Sequence, residues 1–235
     1  MLLLMVKRSS VGMHFGQWMP PGRRLYGKRI LLARLSARQA PALGRLLEAN
    51  RRWLDPWMPT LPEGFSEADV RRSIFLENQE AKRGTRLDLG IFLREPAIDD
   101  PSPGDAGKHP RRDSCGPLVG RIALHTVQWG IIRSAGVGYW IDERHAGKGM
   151  MTEALATLIS FAFEEVRLHR IWAGIQPKNL RSKHLVERLG FTREGLHRRE
   201  LFIAGSWQDQ IQYAMLEEEY DSLAETWLAR NWLGT

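Results

Sequence analysis

The sequence predicts an α/β fold, a mixed sheet flanked by helices, on three observations. A strand-like run over 137–141 enters a basic, glycine-bearing turn, Arg144-His145-Ala146-Gly147-Lys148-Gly149, and a helix-patterned run over 150–165 leaves it. Residues 170–176 alternate, with Ile171, Ala173 and Ile175 on one face, until Pro177 stops the strand. Upstream, 87–93 and 118–127 read as two antiparallel strands. At 235 residues the chain can bury one sizeable core, whereas two independent domains would each be small.

In chain order, 28–34 reads as a first strand and 37–49 as a helix. Ser66-Glu-Ala-Asp69 has the form of a capping box, and the helix it starts runs to about residue 82 with Val70, Ile74 and Phe75 on its inner face. Between the two antiparallel strands, 95–117 is rich in Pro, Gly, Asp and charge and has no periodicity, so a long, mobile or disordered hairpin loop is expected there. The helix over 150–165 places Met151, Leu155, Leu158, Ile159 and Ala162 on one apolar face against a sheet. Asn179 can cap a further helix whose apolar side is Leu185, Val186 and Leu189, and Gly190 suits its left-handed C-terminus. A strand starts at Phe191, and a hairpin over 194–209 closes the pattern.

The turn at 144–149 is chemically the most informative segment. Its glycines let the backbone close around a ligand, and the helix after it offers unpaired N–H groups and the positive end of its dipole, which suits phosphate. A P-loop is excluded because Met150-Met151, rather than Lys and Ser or Thr, follows Gly149. A dinucleotide fingerprint is excluded because Thr152 stands where the third glycine belongs. Arg144 and Lys148 can serve the anion or be solvated turn charges. Asn179 with Ser182 three positions on is good helix-start chemistry with or without a ligand. Trp53, Pro56, Trp57 and Met58 can wall a site or cover a small core.

A net charge of +7 suits an anionic partner but says nothing of fold. No RNA-binding signature accompanies it, so any contact with rRNA would be incidental. The lone cysteine, Cys115, rules out an internal disulfide framework and a cysteine zinc cluster, fits a reducing cytoplasm, and reads as a spare thiol in a loop. His145, His169, His184 and His197 lack metal-ligand spacing with acidic partners, so no metal is expected. The apolar start, Met1-Leu-Leu-Leu-Met-Val6, is far too short to span a membrane, and no membrane association is expected.

Arg144-x-x-Gly147-x-Gly149, Asn179-x-x-Ser182 and Leu189-Gly190-Phe191 together resemble the cofactor half of the GCN5-related N-acetyltransferases (GNAT). Gly138-Tyr-Trp-Ile-Asp142 and the segment from Glu194-Gly195 to Gly205-Ser-Trp-Gln-Asp209 are similar to the RimJ/RimL branch, which acetylates ribosomal proteins at their N-termini. Asn50-Arg-Arg-Trp-Leu-Asp-Pro-Trp-Met-Pro59 resembles the RimJ side of it. The resemblance covers roughly 20–218, with 1–19 as an N-terminal extension, 219–235 as a helical tail and 95–117 as an insertion.

That resemblance implies a mostly antiparallel sheet splayed at a slot for acetyl-CoA. Backbone groups of Tyr139, Trp140 and Ile141 would pair with the pantetheine arm. Arg144, His145, Ala146, Gly147, Lys148 and Gly149 would hold the pyrophosphate, with Arg144 able to bind as a fork. Asn179 would contact the arm near the thioester and Ser182 the departing sulfur. Trp53, Trp57 and Met58 would shape an acceptor groove selecting a small first residue such as Ala or Ser. Glu200 is the candidate base, although it can equally pair with Arg198 or Arg199, and Asp209 reads as structural. The implied reaction is direct acetyl transfer to a protein N-terminus, such as ribosomal protein S5, by a monomer or homodimer in the cytoplasm. Relatives that acetylate small amines or antibiotics, or use longer acyl-CoA, keep a second reading open, and a non-catalytic CoA-binding or ribosome-assembly role a third.

Overall fold

The computed structural model describes residues 18–59, 64–94 and 115–233. One eight-stranded sheet organises them, in the order β1 (Arg24–Tyr26), β2 (Ile30–Ala33), β3 (Leu87–Arg94), β4 (Cys115–Gln128), β5 (Ser134–Ile141), β6 (Arg170–Ile175), β8 (Ser206–Leu216), β7 (Thr192–Ile203). Neighbours are antiparallel except β5 and β6, which run parallel.

The parallel pair needs a crossover, and α4 (Met150–Glu164) supplies it. Only three register pairs join β5 to β6, ending at Gly136↔Trp172, although both strands continue beyond it. Past that point the strands part, and the backbone of 137–141 on that edge faces a slot rather than a partner strand.

Two cores cover the two faces. On one, α4, α5 (Leu180–Leu189) and α6 (Glu217–Ala229) pack a large cluster that includes Leu155, Ile159, Val186, Tyr213, Tyr220 and Trp227. On the other, α1 (Ala40–Ala49) and α3 (Glu67–Arg83) bury Leu43, Leu47, Val70 and Ile74 with Leu31 and Phe92 of the sheet. The capping box is formed: Ser66 Oγ accepts from Asp69 N, and Asp69 accepts from Ser66 N. Gly190 ends α5 in the left-handed region at φ 93°.

Several expectations need correction. Phe75 is 61% exposed, because Val70 and Ile74 already fill the inward side of α3 and residue 75 lies about 100° further round. The helix after the glycine turn does not have one apolar face: residues 152–159 are buried without a break, since the sheet lies under it and α6 over it. Strand β4 begins at Cys115, so 115–117 belong to the sheet and not to the loop, and Cys115 pairs with Arg94. The rest of the segment expected to form that loop, 95–114, lies outside the described residues. Trp18 and Met19 are core rather than extension, with Trp18 Nε1 donating to the Ala81 carbonyl at 2.9 Å. Strand β1 and the short helix α2 (Arg51–Leu54) were not expected, for each is too short to show a period.

Candidate active site

The glycine turn adopts the geometry its residues allow. Gly147 (φ 74°) and Gly149 (φ 77°) occupy the left-handed region, and Gly149 is the N-cap of α4 with no side chain capping the first turn. A Cβ on Gly147 would meet nothing, so its backbone is open to an incoming group. The turn is anchored behind by Asp142, which caps the single 3-10 turn Glu143–His145, while Asn50 Oδ1 accepts from Glu143 N at 2.9 Å.

The Arg144 side chain is engaged by Asp142. Its Nε and Nη2 donate to Asp142 at 3.0 and 2.6 Å, so one edge of the fork expected for phosphate is engaged by a buried carboxylate while the side chain stays 76% exposed. His145 Nδ1 lies 3.3 Å from Asp142 as well. Burial pushes the Asp142 carboxyl up, but hydrogen bonds from the Arg144 side chain and backbone outweigh it and hold the carboxyl below its ordinary value. A lowered folded pKa means that this stabilisation is complete above the ordinary carboxylate range and is lost as pH falls through the folded value. Asp142→Asn is therefore expected to cost about 1–2 kcal/mol at neutral pH, with mutant and parent melting temperatures converging in acid, as thermal melts across pH would measure.

Arg29 and Glu153 form a second anchor that sequence reasoning missed. Glu153 is 1% exposed and accepts from Arg29 N (2.6 Å), Ile30 N (3.2 Å) and Arg29 Nε (2.9 Å). Arg29 Nη1 in turn donates to the Lys148 carbonyl at 2.9 Å, tying the glycine turn to the start of β2. The one available signal was a carboxylate inside an apolar helix, at Glu153.

The wall of the slot opposite the turn carries a hydroxyl pair. Tyr139 Oη and Ser182 Oγ are 2.7 Å apart, and Asn179 Oδ1 accepts from Ser182 N at 3.2 Å, so Asn179 is the N-cap of α5. Burial pushes the Tyr139 phenol well above its ordinary value despite the opposing bond to Ser182. Protonated Tyr139 can donate to Ser182 Oγ, leaving the serine proton to turn elsewhere.

On the α1 side of the sheet, the stretch holding Trp53, Trp57 and Met58 is stitched across the mouth of the slot. Trp53 Nε1 donates to the Ile141 carbonyl (3.1 Å), Gln176 Nε2 to the Pro56 carbonyl (3.0 Å), and Arg181 stacks 4.6 Å over the Trp53 ring. Trp53 and Met58 also pack against the smaller core, so wall and core cover are one structure. Trp140 packs there too, which places its side chain on this face and Tyr139 on the other.

Glu200 reaches the same face through a bulge. Register is lost between His197 and Leu201, Arg199 sits at φ 50°, and Asp209 Oδ1 holds Arg199 N at 2.8 Å. Glu200 then accepts from His197 Nδ1 at 2.8 Å and Gln212 Nε2 at 2.7 Å, rather than from Arg198 or Arg199, the partners of the alternative reading. Among the described residues no three His, Cys, Asp or Glu side chains gather to hold a metal, and no helix is long and apolar enough to cross a membrane.

Residues 29–192 match the acetyltransferase (GNAT) domain family. RimJ of Mycobacterium smegmatis, solved in complex with CoA-disulfide, superposes with a TM-score of 0.74 at 30% identity, covering 93% of this chain and 97% of that one. The ribosomal protein uS5-alanine N-acetyltransferase of Escherichia coli is 28% identical over 201 residues, 85% of this chain and 94% of that protein. Spermidine N(1)-acetyltransferase of Vibrio cholerae is 31% identical over 108 residues, 46% of this chain and 62% of that protein.

Proposed function

This chain belongs to the GNAT acetyltransferase family, and from that premise we propose that it transfers an acetyl group from acetyl-CoA to the N-terminal α-amine of a protein. The favoured acceptor is a cytoplasmic ribosomal protein such as S5, beginning with Ala. The parting of β5 from β6 beside an uncapped helix N-terminus carries the reading. The likeness to RimJ along almost the whole chain supports the choice of acceptor.

Acetyl-CoA supplies the activated acyl group, and the slot has the fittings it needs. Backbone N–H groups from Gly147 to Gly149 and the first turn of α4 would hold the pyrophosphate, with Lys148 adding charge. Backbone groups of Tyr139 to Ile141 on the open edge of β5 would pair with the amide-rich arm. In this reading Arg144 positions the turn through Asp142 rather than forking onto phosphate. Ser182, oriented by Tyr139, would hydrogen-bond the sulfur as negative charge develops there.

Glu200, held by His197 and Gln212, would take the amine proton directly or through a water. An α-amine titrates near 7.7–8.0 where lysine sits near 10.4, so deprotonating it needs roughly 3 kcal/mol less help, and a plain carboxylate suffices.

The test is thiol release from acetyl-CoA with a panel of peptides and free amines. Turnover with peptides beginning with Ala or Ser and none with polyamines is expected. The partial match to spermidine N(1)-acetyltransferase favours a small-amine acceptor as the second reading, and the opposite pattern in the panel would establish it.

A further inference from the structure

Two glutamines on the acceptor face have buried polar ends with nothing to bond. Gln176 is 4% exposed and Gln210 is 2% exposed, yet among the described residues Gln176 Oε1 and Gln210 Nε2 have no hydrogen-bond partner. Leaving a buried amide end unmade costs free energy, so such groups in a folded protein call for a reason. The orientation of Gln176 is settled by its neighbour: the Pro56 carbonyl can only accept, so the atom facing it is Nε2 and the orphan is the oxygen.

Their positions follow from sheet register. Strands β6 and β8 pair Gly174↔Gln212 and Ile175↔Ile211, and one further step brings Gln176 alongside Gln210. Alternation puts both on the face of Gln212, and Gln210 lies directly opposite His197, the partner of Glu200. The pair therefore sits between Pro56 on one side and the Glu200 cluster on the other. Gly174 keeps the floor between them open, since a Cβ there would stand 3.3 Å from Gln212 Nε2 and within 3.7 Å of Gln210.

The Gln210 amide bonds at neither end among the described residues, so it can turn its NH2 inward, and an orphan acceptor beside an amide able to donate is complementary to one end of a peptide. We infer that this pair reads the first residue of the acceptor, Gln176 Oε1 accepting from its α-amine N–H and Gln210 Nε2 donating to its carbonyl oxygen. A polyamine or simple alkylamine offers the first group and lacks the second. The pair thus selects a peptide N-terminus over a bare amine, and this inference rests on the function proposed above.

Gln210→Met tests it, because methionine keeps the shape of the side chain and removes the donor. With acceptor absent, the variant should melt at the same or a higher temperature than the parent, since an unpaired amide has been replaced by an apolar group. Its kcat/KM for an Ala-initiated peptide should fall at least about tenfold with KM for acetyl-CoA unchanged, as expected when a site built for a polar group loses it. The parent should prefer that peptide by a similar factor over an analogue whose first peptide bond is an alkene, and Gln210→Met should show no preference. A Gln210→Met protein that melts lower, or that keeps the parent's preference, overturns the inference while leaving the proposed function standing. A pair that merely holds ordered water gives that second result. Failure of the parent protein to acetylate any peptide N-terminus removes the proposed function and this inference together.

Discussion

Replacing Ser182 by Ala is expected to lower kcat for acetyl transfer about 30- to 100-fold, with CoA affinity changed no more than about threefold. The expectation rests on where Ser182 sits: at the start of α5, with its backbone N–H fixed by Asn179 Oδ1 and its hydroxyl 2.7 Å from half-buried Tyr139 Oη. Thiolate is a better leaving group than alkoxide, so the loss should fall toward the lower end of what removal of an oxyanion donor costs in other enzymes. Tyr139→Phe keeps the ring in the core and removes only the orienting bond, so its effect is smaller, on the order of tenfold. Steady-state thiol release gives kcat and titration with CoA gives affinity. Unchanged kcat in Ser182→Ala would leave Ser182 as helix-start chemistry alone.

Glu153→Ala has the largest expected effect on stability, about 3 kcal/mol, or about 6–12 °C in melting temperature for a chain of this size. The ion pair with Arg29 is not the main reason, because the Arg29 side chain is 49% exposed and such pairs contribute little. What matters is that Glu153 is buried and accepts from the backbone of both Arg29 and Ile30, the latter 0% exposed. Alanine leaves those donors dry and opens a hole beside Gly27, where the carboxylate packs so closely that an added Cβ would stand 2.5 Å from it. Glu153→Gln keeps an accepting oxygen and should cost less than half as much. Since Arg29 also holds the Lys148 carbonyl, CoA binding should weaken by a few-fold in Glu153→Ala. Thermal melts and CoA titration on the same samples separate the two effects.

The glycine turn and the elements after it were legible in the sequence because their signals are local. Positive φ at Gly147, Gly149 and Gly190, the Asn179 cap and the alternation of Ile171, Ala173 and Ile175 each need only a few neighbouring residues. The face that carries Trp53, Gln176 and Glu200 was not, because its contacts cross the chain. Trp53 meets Ile141 across 88 residues and Pro56 meets Gln176 across 120, and sequence distance likewise hid the Arg29–Glu153 anchor behind the glycine turn, 124 residues apart. Arg144 looked free for phosphate because nothing in the sequence says that the carboxylate two residues before it is buried. Glu200 was placed on a strand, but its partners depend on a bulge at Arg199, a residue type that gives no warning of positive φ. Gln176 and Gln210 are unremarkable in sequence and become a pair only through the register of β6 and β8.

The central claim is that the slot delivers acetyl to an α-amine at a chain end. A peptide that begins with Ala and carries an internal Lys offers both kinds of amine to one enzyme in one tube. After incubation with acetyl-CoA, fragmentation mass spectrometry locates the added group. Acetyl on the Ala nitrogen, with the Lys side chain untouched and no product from the same peptide with a blocked N-terminus, is the predicted result. Acetyl on the Lys side chain, or an unmodified peptide beside active turnover of a free polyamine, would contradict it.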